Sequence, residues 1–122
     1  WMEKNKADYT NTFCYLMGEN SNDDIYKKNN FLEWKHKWEM RSKSNNSSKE
    51  NQIKLMKKNN PIIIPRNHKV EEALTEAKNG NLEKMKKLLT ILQNPYNNQN
   101  NIHEYKMPAP STNEKYKTFC GT

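Results

Sequence analysis

The stretch Pro61-Ile62-Ile63-Ile64-Pro65-Arg66-Asn67-His68-Lys69-Val70-Glu71-Glu72-Ala73-Leu74 decides how this chain is read. Two prolines bracket an apolar triplet. The residue before a proline is pushed out of the α region, so Ile64 is extended. A strand is one reading of the triplet. No partner strand is visible, which favours an ordered connector packed on helices. Behind Pro65 a helix begins near Arg66 to Asn67. Val70, Ala73, Leu74 and Ala77 give it one apolar stripe. Asn79-Gly80 closes it, and Asn81 is placed to cap the next helix. There Leu82, Met85, Leu88, Leu89 and Leu92 make a second stripe. Two amphipathic helices joined by so short a turn predict an αα-hairpin.

The N-terminal half reads as helical too. Residues 1–6 resemble the end of a helix. Asp8 is a plausible cap for a helix over 9–17, with Tyr9, Phe13 and Leu16 on one face. Gly18 suits its C-terminus. A turn over 19–22 precedes a helix expected over 23–43. Phe31, Trp34 and Trp38 share its face, and Ile25 extends that face unless Asn29-Asn30 interrupts it. A polar linker follows over 42–46. Ser47-Ser48-Lys49-Glu50 fits a capping box for a helix through Ile53, Leu55 and Met56. Asn59-Asn60-Pro61 ends that helix. From Pro95 onward the chain is rich in Asn and Pro, which predicts a tail without regular structure. The expected fold is all-α. About five helices span residues 1–93, ahead of an extended, irregular tail over 94–122 that carries Cys120.

One domain is the natural expectation for 122 residues. Only 33% of them are hydrophobic and the mean hydropathy is −1.26. The core is therefore thin, and some apolar faces want cover from elsewhere. Trp1 is not a natural first residue, so the N-terminus reads as internal and the chain as cut from something longer. The net charge is +7, from 21 Lys and Arg against 14 Asp and Glu. Lysine supplies nearly all of it, and with the Asn excess this points first to an AT-rich genome. A nucleic-acid surface is the competing reading. It wants clustered Arg and a reader motif, and neither is present, so nucleic acid is not an expected partner. No apolar run approaches the roughly 18 residues that span a bilayer, so no membrane partner is expected either. Two cysteines make no disulfide scaffold, and no secretory signal pattern is visible. A cytoplasmic location is the default.

No active site is visible from the residues alone. His36, His68 and His103 are far apart and lack metal-ligand spacing, which argues against zinc. The Phe31, Trp34 and Trp38 stripe has the form of a stacking platform, but at helical spacing it reads first as core. Lys54, Lys57 and Lys58 read as a solvated face able to steer an acidic partner in a salt-sensitive way. Gly18, Gly80 and Gly121 form no phosphate loop. No nucleophile triad or supported carboxylate pair occurs, so no catalytic, cofactor or metal residue is assigned. Cys120 sits near the chain end, where its thiol is reachable for redox chemistry. The bland reading is an incidental cysteine. Cys14 lies beside an apolar helix face, which a small semi-buried side chain explains. Taken alone, the residues describe a basic helical domain with no visible active site; the alternative reading is a stand-alone basic helical interaction module binding an acidic partner or nucleic acid.

The order of motifs adds more. The run Ala7-Asp8-Tyr9-Thr10-Asn11-Thr12-Phe13, the tryptophan-bearing helix, the stretch around Ile64 to Leu74, Asn94-Pro95-Tyr96 and the final Cys120-Gly121-Thr122 together resemble the C-terminal region of the selenoprotein O (YdiU) family. The Asn79-Gly80-Asn81 turn is similar to that family's Gly-Asp turn. The resemblance covers most of the chain. It implies a larger, bacterial, cytoplasmic protein with a kinase-like (pseudokinase) fold. Such proteins transfer AMP from ATP to hydroxyls of protein substrates, with Mg2+ or Mn2+. The nucleotide, metal and catalytic residues lie upstream in that family, and none maps here. Pro65, Arg66, Asn67, His68 and Glu71 match a family motif and are expected to be structural. Cys120 occupies the place of a family selenocysteine, which implies a redox role. Cys14 stands where relatives carry arginine. The implied partners are the upstream kinase-like domain and the protein substrates.

Overall fold

The computed structural model describes residues 1–45 and 47–110. Every described element is helical. They are α1 (Met2–Asn5), α2 (Tyr9–Leu16), a 3-10 turn (Asp24–Lys27), α3 (Asn29–Lys43), α4 (Lys49–Asn59), α5 (Asn67–Lys78), α6 (Glu83–Leu92) and α7 (His103–Lys106). Among the described residues the fold is all-α.

The proline-bracketed connector divides the core. The chain bends at Ile62, which joins Cys14, Met17 and Met56 on one side. Ile63 joins Ala73, Leu88, Ile91, Ile102 and Tyr105 on the other. The Ile62 and Ile63 N–H groups both donate to the Pro95 carbonyl, at 2.7 and 3.3 Å. A third cluster gathers Leu16, Tyr26 and Phe31 with Trp1, Trp34 and Trp38.

The single helix expected over 23–43 is broken. The Asp23 carboxylate accepts from the Ile25 N–H at 3.0 Å and opens a 3-10 turn. Lys28 is then extended, with φ −70° and ψ 143°, and α3 starts afresh. The break has a packing reason. Tyr26 and Phe31 meet edge-on at 5.1 Å. Five residues apart on one helix they would diverge by about 140°. The expected capping box also shifts by one residue. Ser48 caps α4 by accepting from the Asn51 N–H at 3.2 Å, so Glu50 misses the reciprocal position.

α5 and α6 pack through Ala73, Leu88 and Ile91. Gly80 turns the chain between them at φ 88°. The Asn81 N–H closes back to the Glu76 carbonyl at 3.0 Å, a Schellman closure that wants a left-handed residue. An added Cβ at Gly80 meets nothing within 4 Å. The cost of Gly80→Ala is therefore the backbone conformation alone. Urea unfolding should show a loss of about 1–2 kcal/mol. A loss under about 0.3 kcal/mol would mean the turn relaxes freely.

The irregular tail expected from residue 94 differs from the structure over 102–106. Ile102 and Tyr105 are buried, at 4% and 7% exposure, and α7 forms over His103–Lys106 with Ile102 at its N-cap. Packing therefore continues past the 93/94 boundary. One short turn gives almost no periodic signal, and its partners Ile63 and Leu88 are distant in sequence. Cys120 lies outside the described residues.

Candidate functional site

Arg66 is the motif residue that the structure engages most fully. Pro65 and the extended backbone of Arg66 (φ −79°, ψ 125°) place it at the N-cap of α5. It makes no side-chain cap bond there, so its guanidinium is free to reach across. It meets Asp8 bidentately, with Nη1 to Oδ2 at 2.6 Å and Nη2 to Oδ1 at 2.8 Å. Nη2 also donates to the Lys106 carbonyl at 3.0 Å. Asp8 is itself the N-cap of α2, accepting from the Asn11 N–H at 2.8 Å. Asn11 Nδ2 donates to the same Lys106 carbonyl at 3.1 Å. One guanidinium thus ties the start of α2, the start of α5 and the end of α7.

The junction is largely shielded, with side-chain exposures of 11% for Arg66 and 19% for Asp8. Burial alone would raise the Asp8 carboxyl. The Arg66 hydrogen bonds, the Asn11 N–H and the Arg66 charge overcome that and hold it below its ordinary value. A carboxylate fixed in its charged form with its oxygens occupied is a poor proton shuttle. The geometry is that of a clamp, which suits a structural motif residue.

The other motif residues do not converge on it. Pro65, Asn67 and Glu71 are exposed, and His68 is half-buried. A second network, which sequence reasoning missed, lies nearby. Lys69 reaches Glu72 at 3.1 Å and Glu104 at 3.4 Å. Lys84 reaches Glu72 at 2.6 Å and Glu76 at 3.3 Å. Lys87 reaches Glu104 at 3.3 Å, and both Lys69 and Lys87 stand over the Tyr105 ring. These pairs stitch α5, α6 and α7 together. The Lys69 to Glu72 spacing was legible, but the Glu104 link required knowing that α7 forms.

The remaining candidates resolve simply. The Phe31 ring is fully buried among Trp1, Tyr15, Tyr26 and Trp34, so no base can stack on it. Cys14 is buried at 4% exposure, its Sγ 3.9 Å from the Pro61 and Ile62 carbonyls. Burial pushes its thiol up, which keeps it inert. Gly18 and Gly80 both sit past helix C-termini rather than in a phosphate loop. Among the described residues no group of three or more His, Cys, Asp or Glu can hold a metal ion. No helix there is long and apolar enough to cross a membrane.

No family model matches the chain, and no solved structure matches it. Curated relatives do. The protein nucleotidyltransferase YdiU of Pelagibacter ubique is 47% identical over 123 aligned residues, covering 100% of this chain and 26% of the relative. Proteins of the same name from Bacillus thuringiensis and Bacillus cereus are each 49% identical, covering 99% of this chain and 25% of theirs. The chain thus spans about a quarter of the length of the relatives it matches. Identity at this level along the whole chain places it in the YdiU (selenoprotein O) family, as the C-terminal region that its motifs indicated.

Proposed function

We propose that this segment supports, rather than performs, nucleotide transfer. In this reading the full-length protein moves AMP from ATP to protein hydroxyls, using Mg2+ or Mn2+ bound in an upstream kinase-like region. The single observation that carries it is the 47–49% identity to proteins named protein nucleotidyltransferase. The segment scaffolds the catalytic lobe. Its thin core and the exposed Leu74, Leu82 and Leu89, on α5 and on and just before α6, support that role, since such apolar surface wants cover. Cys120 contributes redox control, by forming a disulfide with a second cysteine of the full-length protein when an oxidant takes two electrons from the two thiols. Buried Cys14 is a poor candidate for that partner. The bacterial relatives support a cytoplasmic setting.

Intact mass tests the reading. A full-length protein carrying this segment is incubated with ATP and Mg2+ or Mn2+, with and without reductant, beside the 122-residue chain. The expected result is an AMP adduct on the full-length protein and none on the chain alone. The adduct should respond to reductant, and Cys120→Ser should abolish that response. No adduct under either condition would overturn the transfer reading. An adduct indifferent to reductant would remove the role of Cys120.

A further inference from the structure

The chain's positive charge is not spread over it. Between Lys28 and Lys58 there are nine Lys and Arg against three Glu, so this span carries +6 of the total +7. A compositional habit for lysine would act on the whole chain and would not segregate it. The two halves also differ in how their cations are used. From 66 to 106 five of the seven, namely Arg66, Lys69, Lys84, Lys87 and Lys106, lie within ion-pair distance of a carboxylate. In α3 and α4 only Lys35 does, reaching Glu39 at a long 3.8 Å. Among the described residues Lys37, Arg41, Lys43, Lys49, Lys54, Lys57 and Lys58 have no such partner.

From this segregation we infer that the outward face of α3 and α4 docks an acidic segment of a separate protein. The two helices run antiparallel. Gln52 donates to the Ser42 carbonyl at 2.7 Å at one end, and Met56 joins the Phe31 and Trp34 cluster at the other. Met56 fixes the inward direction of α4. Lys54 and Lys58 each lie about 160° around the helix from it, facing outward. Apolar side chains accompany the cations: Leu32, Met40 and Leu55 are 49%, 54% and 64% exposed. A mixed cationic and apolar surface matches an amphipathic acidic peptide. Nucleic acid has less use for the leucines and methionine, and Arg41 is the one arginine in the span. A separate protein fits better than the rest of the same chain. Leu74, Leu82 and Leu89 offer comparable apolar area elsewhere, beside cations that are mostly already paired, which suits that surface better to permanent packing. Hydrated lysines instead give fast, reversible, salt-sensitive encounters. The inference uses none of the residues on which the transfer reading rests, and its test reads binding rather than adducts.

The test uses the 122-residue chain and a fluorescent helical peptide of glutamate and leucine, beside oligothymidylate of matched charge. The peptide should bind, and more weakly as salt rises. Lys54→Gln, Lys57→Gln and Lys58→Gln together should weaken binding by about tenfold. Lys4→Gln, Lys78→Gln and Lys86→Gln remove the same charge from elsewhere and should cost less than about twofold. Equal losses in the two triple variants would overturn the site. So would tighter binding of oligothymidylate, lost with the first triple. If that triple fails to fold, the amide shift footprint of the unaltered chain decides. Perturbations over 29–59 support the site, and perturbations confined to 67–92 overturn it.

Discussion

Arg66→Ala lowers the stability of the chain by about 3 kcal/mol, the cost of leaving a shielded charge without its partner. That is a large share of the roughly 5–15 kcal/mol that holds a typical domain together. The loss falls on three elements at once. Asp8 keeps only the Asn11 N–H, and the Lys106 carbonyl keeps only Asn11 Nδ2. Asp8→Asn retains a capping oxygen but removes the charge. Combined with Arg66→Ala it should recover about 1 kcal/mol or more relative to the sum of the single changes, because the two residues act as one unit. Urea unfolding at pH 7 measures both. A loss below about 0.5 kcal/mol for Arg66→Ala would place the residue among ordinary surface positions and remove the clamp.

The clamp also has a pH signature. The Asp8 carboxyl is held below its ordinary value of 3.8 in the folded chain. A depressed carboxyl contributes stability that is fully present above that ordinary value and is lost as pH falls through the folded one. The gap between the parent chain and Arg66→Ala should therefore stay constant near neutrality. It should narrow on acidification below the ordinary carboxylate range. A gap that widens on acidification would contradict the assignment.

Phe31→Ala costs about 4 kcal/mol, the middle of the range for emptying a packed aromatic site. The ring is 0% exposed. Four other rings surround it: Trp1 at 4.9 Å, Tyr26 at 5.1 Å, Tyr15 at 5.7 Å and Trp34 at 5.8 Å. Those rings come from both sides of the 3-10 turn and from the chain start, so they have little freedom to collapse into the void. Leu55→Ala is the contrast. That side chain is 64% exposed, and its removal should change stability by no more than about 0.5 kcal/mol. Thermal or urea unfolding separates the two. A Phe31→Ala cost under about 1.5 kcal/mol would mean that the cluster repacks around the void.

Much of this was legible in the residues. The Asp8 cap, the Gly80 turn and the two apolar stripes of α5 and α6 each follow from local rules. Arg66 was visible as a motif residue, but its partner was not. Asp8 lies 58 residues away, and only the folded connector brings the two together. The break at Lys28 was half visible: Asn29-Asn30 marked where the helix could be interrupted, but not that it would be. The Phe31, Trp34 and Trp38 periodicity continues plausibly back to Ile25, and only the Tyr26 ring shows why it must stop. α7 was missed because one turn with two apolar residues carries no period. The charge segregation was open to counting in the sequence. Its meaning depended on which lysines fold beside carboxylates.

Ile62 and Ile63 are neighbours that fill different clusters, so the connector is held from two sides at once. The Pro95 carbonyl, which accepts from both of their N–H groups, fixes its place as well. Deleting one residue between Pro61 and Pro65 would take an apolar side chain from the triplet and shorten the reach to Arg66. A helix can absorb a lost residue by rotating, and an exposed loop by slackening. This segment can do neither, because both neighbours are already committed to opposite interiors. The length of the connector is thus as fixed as its composition.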